Sequence, residues 1–319
     1  MILLLGASGY LGRAFAGELR RRGQAFIPLK RRVFDYTRFD FLFDYLRRTK
    51  PVFLINAANY CGQAASGSEG QREQAMAANA VLPQMIARVC QMTKTPWGHV
   101  SSGCIYSGCK ILEDGRERVE KDLTRPEIRK LFVEDAESLQ GFTEEDAPNF
   151  SFHNPPCSFY SGTKALAEEA IREISADGCY LWRMRMPFNE KDETCNLLRH
   201  PPESVDDAVN SLSHREDCVK ACLDLWESRA PFGIYNVTNP GAAAVRDILQ
   251  GLAKVAPGHG ANVPAYTASP LQIPRANCIL DVSKLQRCGI KIRPVNQALE
   301  ESLAGLQAAL RGGRRSDPQ

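Results

Sequence analysis

The chain has 319 residues, 44% hydrophobic and 24% charged, with a formal net charge of +3. These are the proportions of a globular protein with room for one large domain or two coupled ones, and the near-neutral balance excludes recruitment to nucleic acid by bulk charge. The eleven cysteines form no CxxC or paired metal-ligand spacing. No metal site is therefore expected, and reduced thiols in a reducing, cytoplasmic compartment are. The apolar start Met1–Leu5 is too short for a signal peptide or a membrane span, and no longer apolar run follows, so no membrane partner is expected.

In chain order, Ile2–Leu5 reads as a short apolar strand. Tyr10–Arg22 has helical spacing, with Leu11, Phe15 and Leu19 on one face. Ala25–Ile27 reads as a second strand stopped by Pro28, followed by a helix from about Thr37 to Arg48. Val52–Asn56 is a third strand, Gln71–Met92 a long helix and Gly98–Ser101 a fourth strand. Alternating strands and helices with continuous apolar strands predict an α/β fold, a parallel doubly wound sheet of Rossmann type covered on both faces. The stretch from Ser107 to Ser158 is turn-rich and reads as loops with one short helix. Tyr160–Ile174 is a helix and Cys179–Met184 a strand. Beyond Pro187 come a helix at Arg215–Ser228, a strand at Ile234–Val237 and a helix at Val245–Val255. Residues 1–187 are read as the dinucleotide-binding domain, to which 213–240 return. Residues 188–311 are read as an interleaved substrate lobe and 312–319 as a disordered tail.

The first strand meets the first helix through Gly6-Ala7-Ser8-Gly9-Tyr10-Leu11-Gly12, a GxxGxxG turn. Gly6 permits the tight turn, Gly9 lets backbone approach a pyrophosphate, and Gly12 permits close packing of helix on sheet. The helix amides then face the anion. No acidic residue closes the second strand to hold a ribose 2′-hydroxyl. Lys30-Arg31-Arg32 follows instead, a cluster suited to the 2′-phosphate of NADP, with NAD as the other possibility.

Tyr160 and Lys164 are four apart and share a helix face. A phenol is a poor acid or base near neutrality. A neighbouring ammonium is expected to draw it toward the working range. Ser101-Ser102, at the end of the fourth strand, places a hydroxyl beside the same position.

The glycine turn, Asn56-Ala57-Ala58, Ser102 and Tyr160-x-x-x-Lys164 resemble the extended short-chain dehydrogenase/reductase superfamily. Asn79 resembles the Asn carried there in the fourth helix. Further blocks are Ser102-Gly103-Cys104-Ile105-Tyr106, 142–150, 158–165, Arg183-Met184-Arg185-Met186-Pro187, 233–241 and Arg275-x-x-x-x-Leu280-Asp281. Together they resemble the dTDP-4-dehydrorhamnose reductase branch, nearest its bifunctional 3,5-epimerase/4-reductases. The resemblance implies NADPH-dependent reduction of a 4-keto-6-deoxy nucleotide sugar by a homodimer. Tyr160 would act as proton donor, Lys164 as its partner on the nicotinamide ribose, and Ser102 as carbonyl ligand. Cofactor contacts are expected at Gly6, Ser8, Gly9, Tyr10, Leu11, Gly12, Lys30, Arg31, Asn56, Ala57, Ala58, Tyr160, Lys164 and Met186. Cys104 is the implied acid/base for C3/C5 epimerisation. Arg185, Asn196, His200 and Arg275 are expected at the sugar or its diphosphate.

The chain departs from the bifunctional pattern where His200, beside Arg199, stands in place of a lysine. It also carries an unusual insert, His153–Pro156, before the Tyr motif. Gly103-Cys104 stands where the dehydratases of the superfamily carry Asp-Glu, which disfavours dehydration. A nucleotide-sugar C4 epimerase and a non-catalytic NADP-binding regulatory subunit stay open as alternatives. Intact Ser102, Tyr160 and Lys164 weigh against the second.

Overall fold

The computed structural model describes residues 1–61, 70–113, 115–134, 138–191, 198, 208–256 and 275–313. From the N-terminus run β1 (Ile2–Leu5), α1 (Tyr10–Arg21), β2 (Phe26–Leu29), α2 (Phe39–Thr49) and β3 (Phe53–Asn56). Next come α3 (Arg72–Met76), α4 (Leu82–Thr93) and β4 (Trp97–Ser102). The middle of the chain forms β5 (Cys109–Glu113), β6 (Arg116–Glu120), α5 (Pro126–Glu134), β7 (Leu139–Gln140), α6 (Phe159–Ser175) and β8 (Cys179–Met184). The last part holds β9 (Pro187–Phe188), β10 (Val209–Asn210), β11 (Ser213–His214), α7 (Arg215–Glu227), β12 (Gly233–Asn236), β13 (Ala243–Ala244), α8 (Val245–Val255), α9 (Ser283–Arg287) and α10 (Val295–Gly313).

Six strands make the main sheet in the order β2-β1-β3-β4-β8-β12, every pair parallel. Strict alternation sorts side chains to its two faces. Ile2, Leu4, Phe53 and Ile55 pack with Phe15, Leu19, Val219 and Leu223 of α1 and α7. Leu3, Leu5 and Leu54 pack with Leu42, Leu46, Ile86 and Ile171 of α2, α4 and α6. Burial on both faces is why β1 and β3 read as unbroken apolar runs. Gly98 is demanded by packing, because a Cβ there would lie 2.0 Å from the Trp182 ring on the adjacent strand. Chain order reverses between β1 and β3, and the crevice beyond their carboxyl ends is where such sheets bind ligands.

Three expectations change. Pro28 does not stop the second strand. It lies within β2, which is an edge strand, where a missing N–H leaves no ladder bond unmade. The long helix is interrupted by a π-helical turn at Ala77–Val81. Pro83 has no N–H to offer the Asn79 carbonyl, and the widened turn absorbs that loss. The 107–158 stretch is more than loops and one short helix. It contains a three-stranded antiparallel sheet, β6-β5-β7, alongside α5. The lobe near the C-terminus is built on two-residue ladders, β10 with β13 and β9 with β11. α8 and α10 close it through Leu249, Leu252 and Leu306.

Candidate active site

Gly6 turns the chain at the end of β1 with φ +73°, the left-handed region. A Cβ on Gly6 would fall 2.5 Å from the Ala58 amide nitrogen, and one on Gly12 would fall 2.0 Å from the Gly6 carbonyl oxygen. The Gly9 N–H donates to that carbonyl at 3.0 Å. Gly9 is exposed and stands as N-cap of α1 with no side chain covering the helix amides and no acidic residue in the first turn. Bare backbone leading into an uncapped 12-residue helix fits a dinucleotide diphosphate. Ser8 is exposed and Leu11 half-buried beside it. The Tyr10 side chain turns inward: its hydroxyl donates to Asn189 Oδ1 at 3.2 Å, and the Arg215 guanidinium lies 4.6 Å over its ring.

Lys30 and Arg31 are exposed in the turn after β2. Nearby, buried Tyr36 is hydrogen-bonded to the Gly6 backbone, and burial raises its hydroxyl pKa above the ordinary value. Asn56 has no exposed surface. Its Oδ1 accepts the Ala58 N–H at 3.1 Å and its Nδ2 stands 3.0 Å from His99 Nδ1. The Asn56 side chain therefore pins Ala57-Ala58 against Gly6 instead of lining the cleft.

On the other side of the crevice, β4 delivers Ser102, whose buried Oγ accepts the Cys104 N–H at 3.2 Å. Ser158 Oγ accepts the Ser161 N–H at 3.1 Å and starts α6. Tyr160 and Lys164 face the same way, with Lys164 Nζ 5.9 Å from the Tyr160 ring centre. Lys164 is 1% exposed and donates to the Val100 carbonyl at 3.2 Å. The Tyr160 hydroxyl is hydrogen-bonded to Ser102 and to Asn59.

The electrostatics differ from the expectation that a neighbouring ammonium draws Tyr160 down. Burial and the nearby Cys104 and Cys61 thiols push its pKa up, against the hydrogen bonds from Ser102 and Asn59. Burial also lowers Lys164 to about 8, opposed by Glu168. Taking both groups out of water outweighs their mutual influence. Tyr160 is consequently held protonated at neutral pH, the form needed to donate a proton.

Asn79, in the π turn, accepts the Tyr60 N–H and donates to the Tyr60 carbonyl, each at 2.8 Å. That clamp holds residues 59–61 beside α6 and so places Asn59 and Cys61 at Tyr160. Neither carries a motif of its own. The available signal was their position just after Asn56-Ala57-Ala58, at the point where strand order reverses. Below Lys164, Glu168 accepts from Arg183 Nη2 at 2.7 Å and from Ser101 Oγ at 2.5 Å. Arg183 Nη1 donates to the Tyr106 hydroxyl at 2.9 Å. Phe152, the residue before the insert, touches this helix directly: a Cβ on Gly162 would lie 2.2 Å from its ring.

Cys104 is half-buried, its Sγ 3.2 Å from Arg185 Nη1. Met186 has φ +40° and packs onto the lobe core of Phe188, Leu212 and Val295. Arg275 is exposed, three residues before buried Cys278. Asn196 and His200 lie outside the described residues.

A parallel sheet with a glycine turn at its switch point defines a Rossmann-type fold. The chain belongs to the RmlD substrate binding domain family, whose profile matches residues 1–308. It is 28% identical over 254 residues to a trifunctional UDP-glucose 4,6-dehydratase/UDP-4-keto-6-deoxy-D-glucose 3,5-epimerase/UDP-4-keto-L-rhamnose-reductase of Arabidopsis thaliana, covering 78% of this chain and 33% of that protein. The chain thus spans about a third of the length of that relative. A bifunctional dTDP-4-dehydrorhamnose 3,5-epimerase/dTDP-4-dehydrorhamnose reductase of the same plant is 27% identical, covering 76% of this chain and 72% of that one. Among solved structures, a dTDP-4-dehydrorhamnose reductase from Bacillus anthracis in complex with NADP superposes with a TM-score of 0.70 at 19% identity, covering 97% and 98% of the two chains.

Proposed function

We propose that this chain reduces the 4-keto group of a 4-keto-6-deoxy nucleotide sugar, using NADPH with NADH as a second donor. The reading rests on one observation: half-buried Tyr160, hydrogen-bonded to Ser102, shares a helix face with Lys164, whose Nζ lies 5.9 Å from its ring centre. Gly6, Ser8, Gly9 and Gly12 would hold the dinucleotide diphosphate, and Lys30 and Arg31 the 2′-phosphate. The bound nicotinamide supplies the hydride. Ser102 Oγ orients the ketone oxygen, Tyr160 Oη gives it a proton, and Lys164 offsets the phenolate left behind.

Cys104 beside this group favours a second step at the same sugar, removal and return of a proton at the carbons flanking the ketone. The names of the relatives, reductases and epimerases of nucleotide-linked deoxysugars, support both steps. Every cysteine among the described residues is a free thiol, and no described helix is long and apolar enough to cross a membrane. These features support a cytoplasmic enzyme, and family likeness supports a homodimer.

The test supplies UDP- and dTDP-4-keto-6-deoxyglucose with NADPH or NADH, following cofactor absorbance and product stereochemistry. NADPH oxidation yielding a 4-hydroxy sugar is expected. Lack of oxidation with either sugar nucleotide refutes the reductase reading.

A further inference from the structure

Arg185 is more firmly tied down than a cleft residue waiting for a phosphate. It is 7% exposed. Its Nη2 donates to Asn210 Oδ1 at 2.8 Å and to the Ala276 carbonyl, and its backbone N–H donates to Ser213 Oγ at 3.0 Å. Asn210 Oδ1 also accepts the Cys278 N–H at 3.1 Å, so the guanidinium is keyed to the chain segment that closes over it. Swinging Arg185 outward would strand buried acceptors. The remaining arm, Nη1, points to Cys104 Sγ at 3.2 Å.

We propose that Arg185 is the positioning residue for Cys104: its guanidinium fixes the sulfur beside Tyr160 and balances the negative charge whenever the thiol gives up its proton. The assignment rests on the reading of Cys104 as the group that exchanges protons with the sugar. In that step the sulfur takes a proton from the carbon next to the ketone, and the C–H electron pair moves onto the ketone oxygen as an enolate. Reprotonation of the carbon restores the ketone. An N–H···S contact to a charged sulfur is stronger than to a neutral one. The other titratable groups facing Cys104 are Tyr160, Lys164 and Cys278. Burial keeps Tyr160 and Cys278 protonated, and Lys164 Nζ is engaged with the Val100 carbonyl. Arg185 is thus the cation in hydrogen-bond contact with the sulfur.

The test is alkylation of the full chain with iodoacetamide, each cysteine quantified by peptide mass spectrometry and the exposed Cys61 serving as internal reference. Arg185→Met is expected to slow Cys104 labelling at pH 7 about tenfold relative to Cys61. Arg185→Lys, which keeps a charge, recovers part of the loss. Asn210→Ala, which frees the guanidinium without deleting it, gives an intermediate ratio. Equal Cys104-to-Cys61 ratios in wild type and folded Arg185→Met overturn the proposal. If Arg185→Met does not fold, a wild-type ratio in Asn210→Ala overturns it instead. Deuterium uptake at C3 and C5 of the sugar in D2O is read separately. Its absence in the wild type removes the epimerising role of Cys104, while the labelling ratios still decide the role of Arg185.

Discussion

Around Gly6 and Gly12 the cleft is formed by the absence of side chains: backbone meets backbone at distances no Cβ could enter. Around Tyr160, Lys164 and Glu168 it is formed by side chains that hold one another, with Ser101, Ser102, Asn59, Arg183 and Tyr106 all engaged. The first region is specified by shape. The second is specified by charge balance in a buried place. A lost contact in the first is a steric matter, and in the second it exposes an uncompensated charge or removes a proton.

The largest expected effect strikes the second region. Tyr160→Phe removes the donated proton, and turnover should fall by roughly 10²- to 10⁴-fold while NADPH still binds, as read by cofactor oxidation and fluorescence titration. Near-normal turnover would dissolve the contrast. Next, Glu168→Gln leaves the Arg183 charge buried without its partner and should lower unfolding free energy by about 3–5 kcal/mol, measured by urea denaturation. Gly12→Ala should then cost about 1–3 kcal/mol through overpacking and weaken NADPH binding, with the chemical step unchanged at saturating cofactor. A loss of the chemical step at saturation would show that the two regions are not separable.

The smallest effect is a displacement on the pH axis. Lys164, lowered to about 8, loses its charge as pH rises through that value, whereas Tyr160 is raised and stays protonated. kcat/KM should therefore fall above roughly pH 8. Lys164→Arg keeps its charge and should carry the alkaline limb to higher pH. A limb unmoved by that substitution assigns it to another group.

What the sequence could disclose follows the same division. The parallel sheet was legible because β1 and β3 are buried on both faces and so are written as largely apolar runs. β6 was not, because Arg116–Glu120 is largely exposed and its charges mask a period of two. That Tyr160 and Lys164 share a helix face was legible from their spacing, and the glycine turn and Ser102 in chain order singled the pair out. The side-chain bonds of Asn56 were not, since a residue type after a strand does not say whether it faces cofactor or core. Arg185 shows the limit most clearly. Its chemistry suggests an anion, yet only the fold places it against a sulfur, with Asn210 and the Ala276 carbonyl on its other arm.

The seating of Phe152 on Gly162 has a consequence for redesign. Phe152, just before the insert, is wedged onto the helix turn that carries Tyr160. Trimming the loop that follows it to admit a bulkier ligand would unseat the aromatic wedge, let the first turn of the helix drift, and trade turnover for access.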